Sequence, residues 1–115
     1  MNQLEMQPTS QTAVVSIAGR FDAHQVPHVQ KMLASACADG AHTIIVDLSQ
    51  VNFVDSSALA TLVQAMKRCR EQDGELILCG VRQPVRIIFE LTRLDKAFRI
   101  FNSLEEAQMA AVQAG

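Results

Sequence analysis

The segment Thr43-Ile44-Ile45-Val46-Asp47-Leu48 is apolar at nearly every position. A strand with one wet face alternates apolar and polar residues. A continuous apolar run needs cover on both faces, the situation of a strand in a parallel sheet packed between helices. Parallel neighbours cannot be joined by a tight turn, so the chain must cross over between strands, usually through a helix. That one segment points to an α/β fold.

The flanking sequence supplies the crossovers. Thr12-Ala13-Val14-Val15-Ser16-Ile17-Ala18 is rich in β-branched residues and stops at Gly19, as a strand should. Residues 4–7 can pair with it as a hairpin, with Pro8-Thr9-Ser10 in the turn. Val26, Val29, Leu33 and Cys37 recur at helical spacing, which predicts a helix over residues 25–38 with Pro27 in its first turn and Asp39-Gly40 at its end. Leu59, Leu62, Val63, Met66 and Cys69 form the stripe of a second helix, residues 57–71. A strand over residues 75–79 and a short helix opened by Pro84, with Val85, Ile88 and Phe89 inward, come next. Phe98-Arg99-Ile100 is a short final strand, and Ser103-Leu104-Glu105-Glu106 is a capping box for a last helix to about Ala114. The expectation is one α/β domain over residues 1–115. It has a mixed, mostly parallel sheet, an N-terminal β-hairpin and about four helices.

Sites on such sheets lie at the carboxyl ends of the strands. Three loops converge there: Gly19-Arg20-Phe21-Asp22, residues 49–57, and Gly80-Val81-Arg82-Gln83. The middle one holds Asp55-Ser56-Ser57-Ala58, two hydroxyls behind an acid where a helix begins. The start of a helix has unpaired N–H groups and a partial positive charge, so a serine there can carry a phosphate. Asp and Ser are also ordinary N-cap residues, and the segment read by itself fits either role.

Composition removes other classes. The formal charge is −2, and Trp and Tyr are absent. Lys67, Arg68 and Arg70 belong to the solvated face of one helix, so neither a basic face nor stacking aromatics mark a nucleic-acid binder. No apolar stretch is long enough to span a bilayer, and the first residues lack the pattern of a signal peptide; the expected location is the cytoplasm. Cys37, Cys69 and Cys79 lie far apart in sequence, without zinc-ligand spacing, and read as buried free thiols. His24 and His28 share i, i+4 spacing but lack a third ligand, so no metal site is expected.

No Gly-rich phosphate loop and no GxSxG elbow occur, so no cofactor and no catalytic residues are expected. Asp47 ends a strand as the acceptor of a phosphorelay receiver does, yet Arg20-Phe21-Asp22 does not supply the acidic pair a receiver needs.

Three segments together carry a resemblance. Gly19-Arg20-Phe21-Asp22, the run Val46-Asp47-Leu48-Ser49-Gln50-Val51-Asn52-Phe53-Val54-Asp55-Ser56-Ser57-Ala58-Leu59, and Glu75-Leu76-Ile77-Leu78-Cys79-Gly80-Val81-Arg82-Gln83-Pro84-Val85 resemble the STAS domain, above all the bacterial anti-sigma factor antagonists. The likeness covers almost the whole chain. It implies a non-catalytic partner-switching module whose unphosphorylated form binds an anti-sigma factor that is also a serine kinase, freeing a sigma factor. It implies phosphorylation of the serine after the motif Asp, here Ser56 with Ser57 as runner-up, and reversal by a serine phosphatase. The implied partner surface comprises Asp22, Asp55, Ser56, Ser57, Ala58 and Arg82. Ala58 stands where the family more often has Gly, a methyl that bears on how closely a partner approaches. An exposed Phe53 would add an interface anchor. Two other functions remain open on the sequence: a STAS subunit of a membrane transport complex, and a nucleotide-binding regulatory module. A histidine-kinase-like ATPase or a transporter permease among the gene neighbours separates the first reading from the transport one.

Overall fold

A computed structural model of the chain describes residues 11–114. Strand β1 (Thr12–Phe21) leads through helix α1 (Val26–Ala38) to β2 (Thr43–Val54) and α2 (Ser56–Glu71). Then come β3 (Glu75–Cys79), α3 (Gln83–Leu91), a short 3-10 turn (Leu94–Lys96), β4 (Ile100–Phe101) and α4 (Leu104–Ala114). The four strands pair in the order β1-β2-β3-β4, and every described pairing is parallel. The expected hairpin strand at residues 4–7 lies outside the described residues. Among the described residues no helix is long and apolar enough to cross a membrane.

The apolar run behaves as its composition requires. Ile44, Val46 and Leu48 face one side and pack with α1, α2 and α3, whereas Ile45 faces the other, with Ile77, Cys79 and the Ala107 and Ala111 side of α4. All four β2 side chains are fully buried. Burying a side chain of this size stabilises by about 1.5–3 kcal/mol, so the central strand anchors both layers.

β2 runs farther than expected. Residues 49–54 continue the strand and pair with the end of β1, from Ala18↔Gln50 to Phe21↔Val54. The register slips twice, between Ser16 and Ala18 and between Gly19 and Arg20, and each slip puts an extra residue into β2. A bulge advances the inward side by one position. Leu48, Val51 and Val54, three apart, therefore all enter the core, while β1 keeps a two-residue period through Val15, Ile17 and Phe21. Gly19, at φ +79, supplies the backbone turn that the second slip needs.

The helices also differ from the expected stripes. On α2 the fully packed positions are Ala58, Thr61, Leu62, Ala65, Met66 and Cys69, with Leu59 and Val63 only half-buried. Three of these six, Ala58, Thr61 and Ala65, are small. Thr61 is tolerated there because its hydroxyl donates to the Ser57 carbonyl at 2.8 Å. On α1 the buried set is Val29, Leu33 and Ala36, with Val26 and Cys37 at the margin. Gly80, at φ +69, lets β3 turn against β2: a Cβ there would lie 2.8 Å from the Ser49 Cβ.

Candidate functional site

The double-bulged end of β2 delivers Asp55 to the start of α2 in an extended conformation, φ −112 and ψ −178. Its side chain folds back over the first turn. Oδ1 accepts from the Ala58 N–H at 2.9 Å and from the Ser57 hydroxyl at 2.7 Å. Oδ2 reaches the other way and accepts from the Ala23 N–H, in the loop after β1, at 3.1 Å. The Asp55 N–H donates to the Phe21 carbonyl at 3.3 Å, which closes the same junction from the backbone side. One carboxylate therefore joins two of the three expected loops. The Ser57 hydroxyl, the Ala58 N–H and the Ala23 N–H all favour its charged form, which holds its pKa below the usual carboxylate range against the opposing effect of burial.

This arrangement separates the two serines. Ser57 is half-buried and committed to Asp55. Ser56 is exposed, and among the described residues its hydroxyl has no hydrogen-bond partner.

The loop after β1 is built around Asp22. Its carbonyl accepts from the Gln25 and Val26 N–H groups at 3.0 and 3.1 Å, and its Oδ1 accepts from the His24 N–H at 3.0 Å. Its Oδ2 lies 3.7 Å from Arg20 Nε, a loose ion pair with the arginine side chain 63% exposed. The Arg20 guanidinium in turn lies 3.9 Å above the Phe53 ring centroid. Phe53, from the bulged segment of β2, is 36% exposed. Gln25 pins the loop back onto β1 by donating to the Ala18 and Arg20 carbonyls at 2.8 and 2.6 Å.

Asp22, Asp55, Ser56 and Ser57 thus come to one patch. Ala58 is fully buried, so its methyl faces the core and not a partner. Arg82 is exposed at the start of α3 and makes no side-chain cap bond there. No hydrogen bond or ion pair among the described residues joins it to the Asp22–Asp55 patch. Gln25 and Arg20 were not singled out from the sequence. An arginine two positions before Asp22 and an aromatic two before Asp55 become meaningful only through the register that sets Arg20 opposite Phe53. His24 precedes α1 rather than lying on it, and no group of three or more His, Cys, Asp or Glu side chains that could hold a metal occurs among the described residues.

A family model described as STAS domain matches residues 3–107. Over 91 residues the chain is 30% identical to the anti-sigma-B factor antagonist of Staphylococcus aureus, covering 79% of this chain and 84% of the relative. An anti-sigma factor antagonist from Mycobacterium paratuberculosis has a similar structure, with a TM-score of 0.79 at 26% identity over 91% of this chain and 89% of that one. The Bacillus cell fate determinant SpoIIAA in its phosphorylated form gives a TM-score of 0.70 at 28% identity over 94% and 96%.

Proposed function

The chain belongs to the STAS domain family, and from that premise we propose that it is an anti-sigma factor antagonist working by partner switching, with no catalysis of its own. The unphosphorylated form binds an anti-sigma factor that doubles as a serine kinase, in the cytoplasm, and releases that factor's target. Phosphorylation of Ser56 ends the binding, and a serine phosphatase restores it. The observation that carries this reading is the split between the serines: Ser57 is held by Asp55, while Ser56 stands exposed on the same helical turn. Only the second can enter a kinase active site without breaking the cap.

The same geometry supplies a mechanism for the switch. A phosphoryl group adds about −1.5 to −2 charges and needs donors. The Ala58 N–H at the start of α2 is already taken by Asp55, and the carboxylate beside it repels a second anion. The phosphate therefore points into solvent. The free domain tolerates it there. A partner face must desolvate it, at a cost of several kcal/mol for an unpaired buried charge. The Phe53 ring under Arg20 offers the apolar and cationic contact that interface centres favour.

The test is co-purification from the native cell, with mass spectrometry of the partners and of the peptide that carries Ser56. A histidine-kinase-like ATPase captured by the wild type, and phosphate on Ser56, are the expected results. Phosphate confined to Ser57, or labelling of the Ser56→Ala protein by that kinase at the wild-type level, would sink the assignment.

A further inference from the structure

Arg20 is held at both its backbone and its side chain. Gln25 Nε2 donates to the Ala18 and Arg20 carbonyls at 2.8 and 2.6 Å, one on each side of Gly19 and its positive φ. The register that follows sets Arg20 opposite Phe53, and the guanidinium carbon lies 3.9 Å from the ring centroid. Asp22 Oδ2 stays 3.7 Å from Nε, too long for a hydrogen bond. Among the described residues no N–H of the guanidinium makes a hydrogen bond, and the side chain is 63% exposed.

We propose that Arg20 is a preorganised receptor for a carboxylate of the binding partner, an Asp or Glu side chain that seats on these unused donors when the complex forms. The proposal rests on the partner-switching reading and adds the chemistry that the partner must bring. The guanidinium touches the exposed Phe53 ring on one side and approaches Asp22 on the other. A partner face that covers both covers Arg20 as well. A charge taken out of water needs a counter-charge and hydrogen bonds in exchange. The chain itself does not provide them. Asp22 makes one loose contact, and its Oδ1 already accepts from the His24 N–H at 3.0 Å. Asp55 is turned towards Ala23, Ser57 and Ala58. The acceptors must come from the partner. A carboxylate matches the guanidinium in shape and charge, since its two oxygens take two parallel N–H bonds. The Gln25 clamp and the Phe53 ring fix Arg20 beforehand, which removes part of the ordering cost that a free arginine carries into a complex.

The test is a calorimetric titration of the full chain with the anti-sigma factor it captures, for wild type, Arg20→Ala, Arg20→Lys and Asp22→Ala. A second arm changes the partner's surface acids to amides one at a time and titrates each with the wild-type chain and with Arg20→Ala. Arg20→Ala should weaken binding at least about tenfold while Tm stays close to wild type. Arg20→Lys should recover only part of that loss, because it keeps the charge without the fork. One partner amide should weaken the wild type by a similar factor, and against it Arg20→Ala should cost nothing further. Affinity of Arg20→Ala within about twofold of wild type would overturn the proposal, and so would losses that add with every partner amide. If Asp22→Ala and phosphorylation of Ser56 lower the affinity and Arg20→Ala does not, this proposal falls and partner switching stands. If the wild type captures no anti-sigma factor, both fall. The partner scan with the wild-type chain decides the matter even if an Arg20 substitution disturbs the fold, because no single amide then weakens binding unless a partner carboxylate is in use.

Discussion

Helices α2 and α4 begin with the same kind of cap and use it differently. At α4, Ser103 Oγ accepts from the Glu106 N–H at 3.1 Å, and Glu106 reaches back to accept from the Asn102 N–H at 3.3 Å. Every partner lies within four residues, and Glu105 and Glu106 supply negative charge to the first turn. That end is complete by itself. At α2 the first turn has no acidic residue of its own, and the cap carboxylate is shared with the Ala23 N–H, 32 residues away. A local cap makes a helix start. A shared cap makes a helix start and also fixes a second loop beside it. The difference ties the start of α2 to a distant loop and leaves the start of α4 to its own residues.

The largest contrast should come from charge. A phosphate on Ser56 should weaken partner binding by about 100-fold or more while Tm hardly moves, since several kcal/mol of desolvation fall on the complex alone. The α4 cap sets the contrast, because Ser103→Glu should leave partner affinity unchanged. Titration of both proteins against the partner, with melting curves, decides it. Equal affinity of the phosphorylated and free forms would break the comparison.

A smaller effect is expected at Asp22. Asp22→Ala should weaken partner binding by more than about 1 kcal/mol if the loop contacts the partner centrally. It should also lower stability by about 0.5–1.5 kcal/mol through the lost bond from the His24 N–H. Calorimetry and urea denaturation on one preparation separate the two. Ser103→Ala should lower stability by about 0.5–2 kcal/mol through the lost cap and leave the partner titration as it was.

The smallest effect is in the pH dependence. Asp55 ionises more readily in the folded protein than in the unfolded chain. Its contribution is therefore fully present above the unfolded value, about 3.9, and is lost as pH falls through the lower folded value. The urea midpoint of the wild type should drop more steeply than that of Asp55→Asn as pH falls below about 4. Parallel curves would mean that the Ala23, Ser57 and Ala58 bonds do not favour the charged carboxylate.

The cap itself was legible. Asp55-Ser56-Ser57 followed by helical spacing marks a helix start from local chemistry, and the order of strands and helices follows from periodicity in the same way. The inward face of the β2 extension was not legible, because Gln50-Val51-Asn52-Phe53 alternates so as to put Phe53 beside Val51, whereas the structure buries Val54 and leaves Phe53 exposed. Its two bulges convert a period of two into steps of three, and only the pairing with β1 reveals that Leu48, Val51 and Val54 share a face. The inward stripe of α2 was legible in part: Leu62, Met66 and Cys69 are buried as expected, with Leu59 and Val63 at the margin of the core. Large apolar residues signal burial in a sequence, and the small Ala58, Thr61 and Ala65 that share the buried face carry no such signal.

By itself the sequence determined the fold class and the helix that carries Ser56. An apolar run without alternation must be covered on both faces, and an acid before two hydroxyls caps a helix wherever it occurs. Which serine stays free was settled only by the tertiary structure. Ser56 and Ser57 are chemically identical and adjacent. They differ because Asp55, held between Ala23 and Ala58, turns one oxygen onto the Ser57 hydroxyl and none onto Ser56. The Ala23 N–H that holds the other oxygen is brought there by where β1 ends relative to β2, a long-range register that no local pattern encodes.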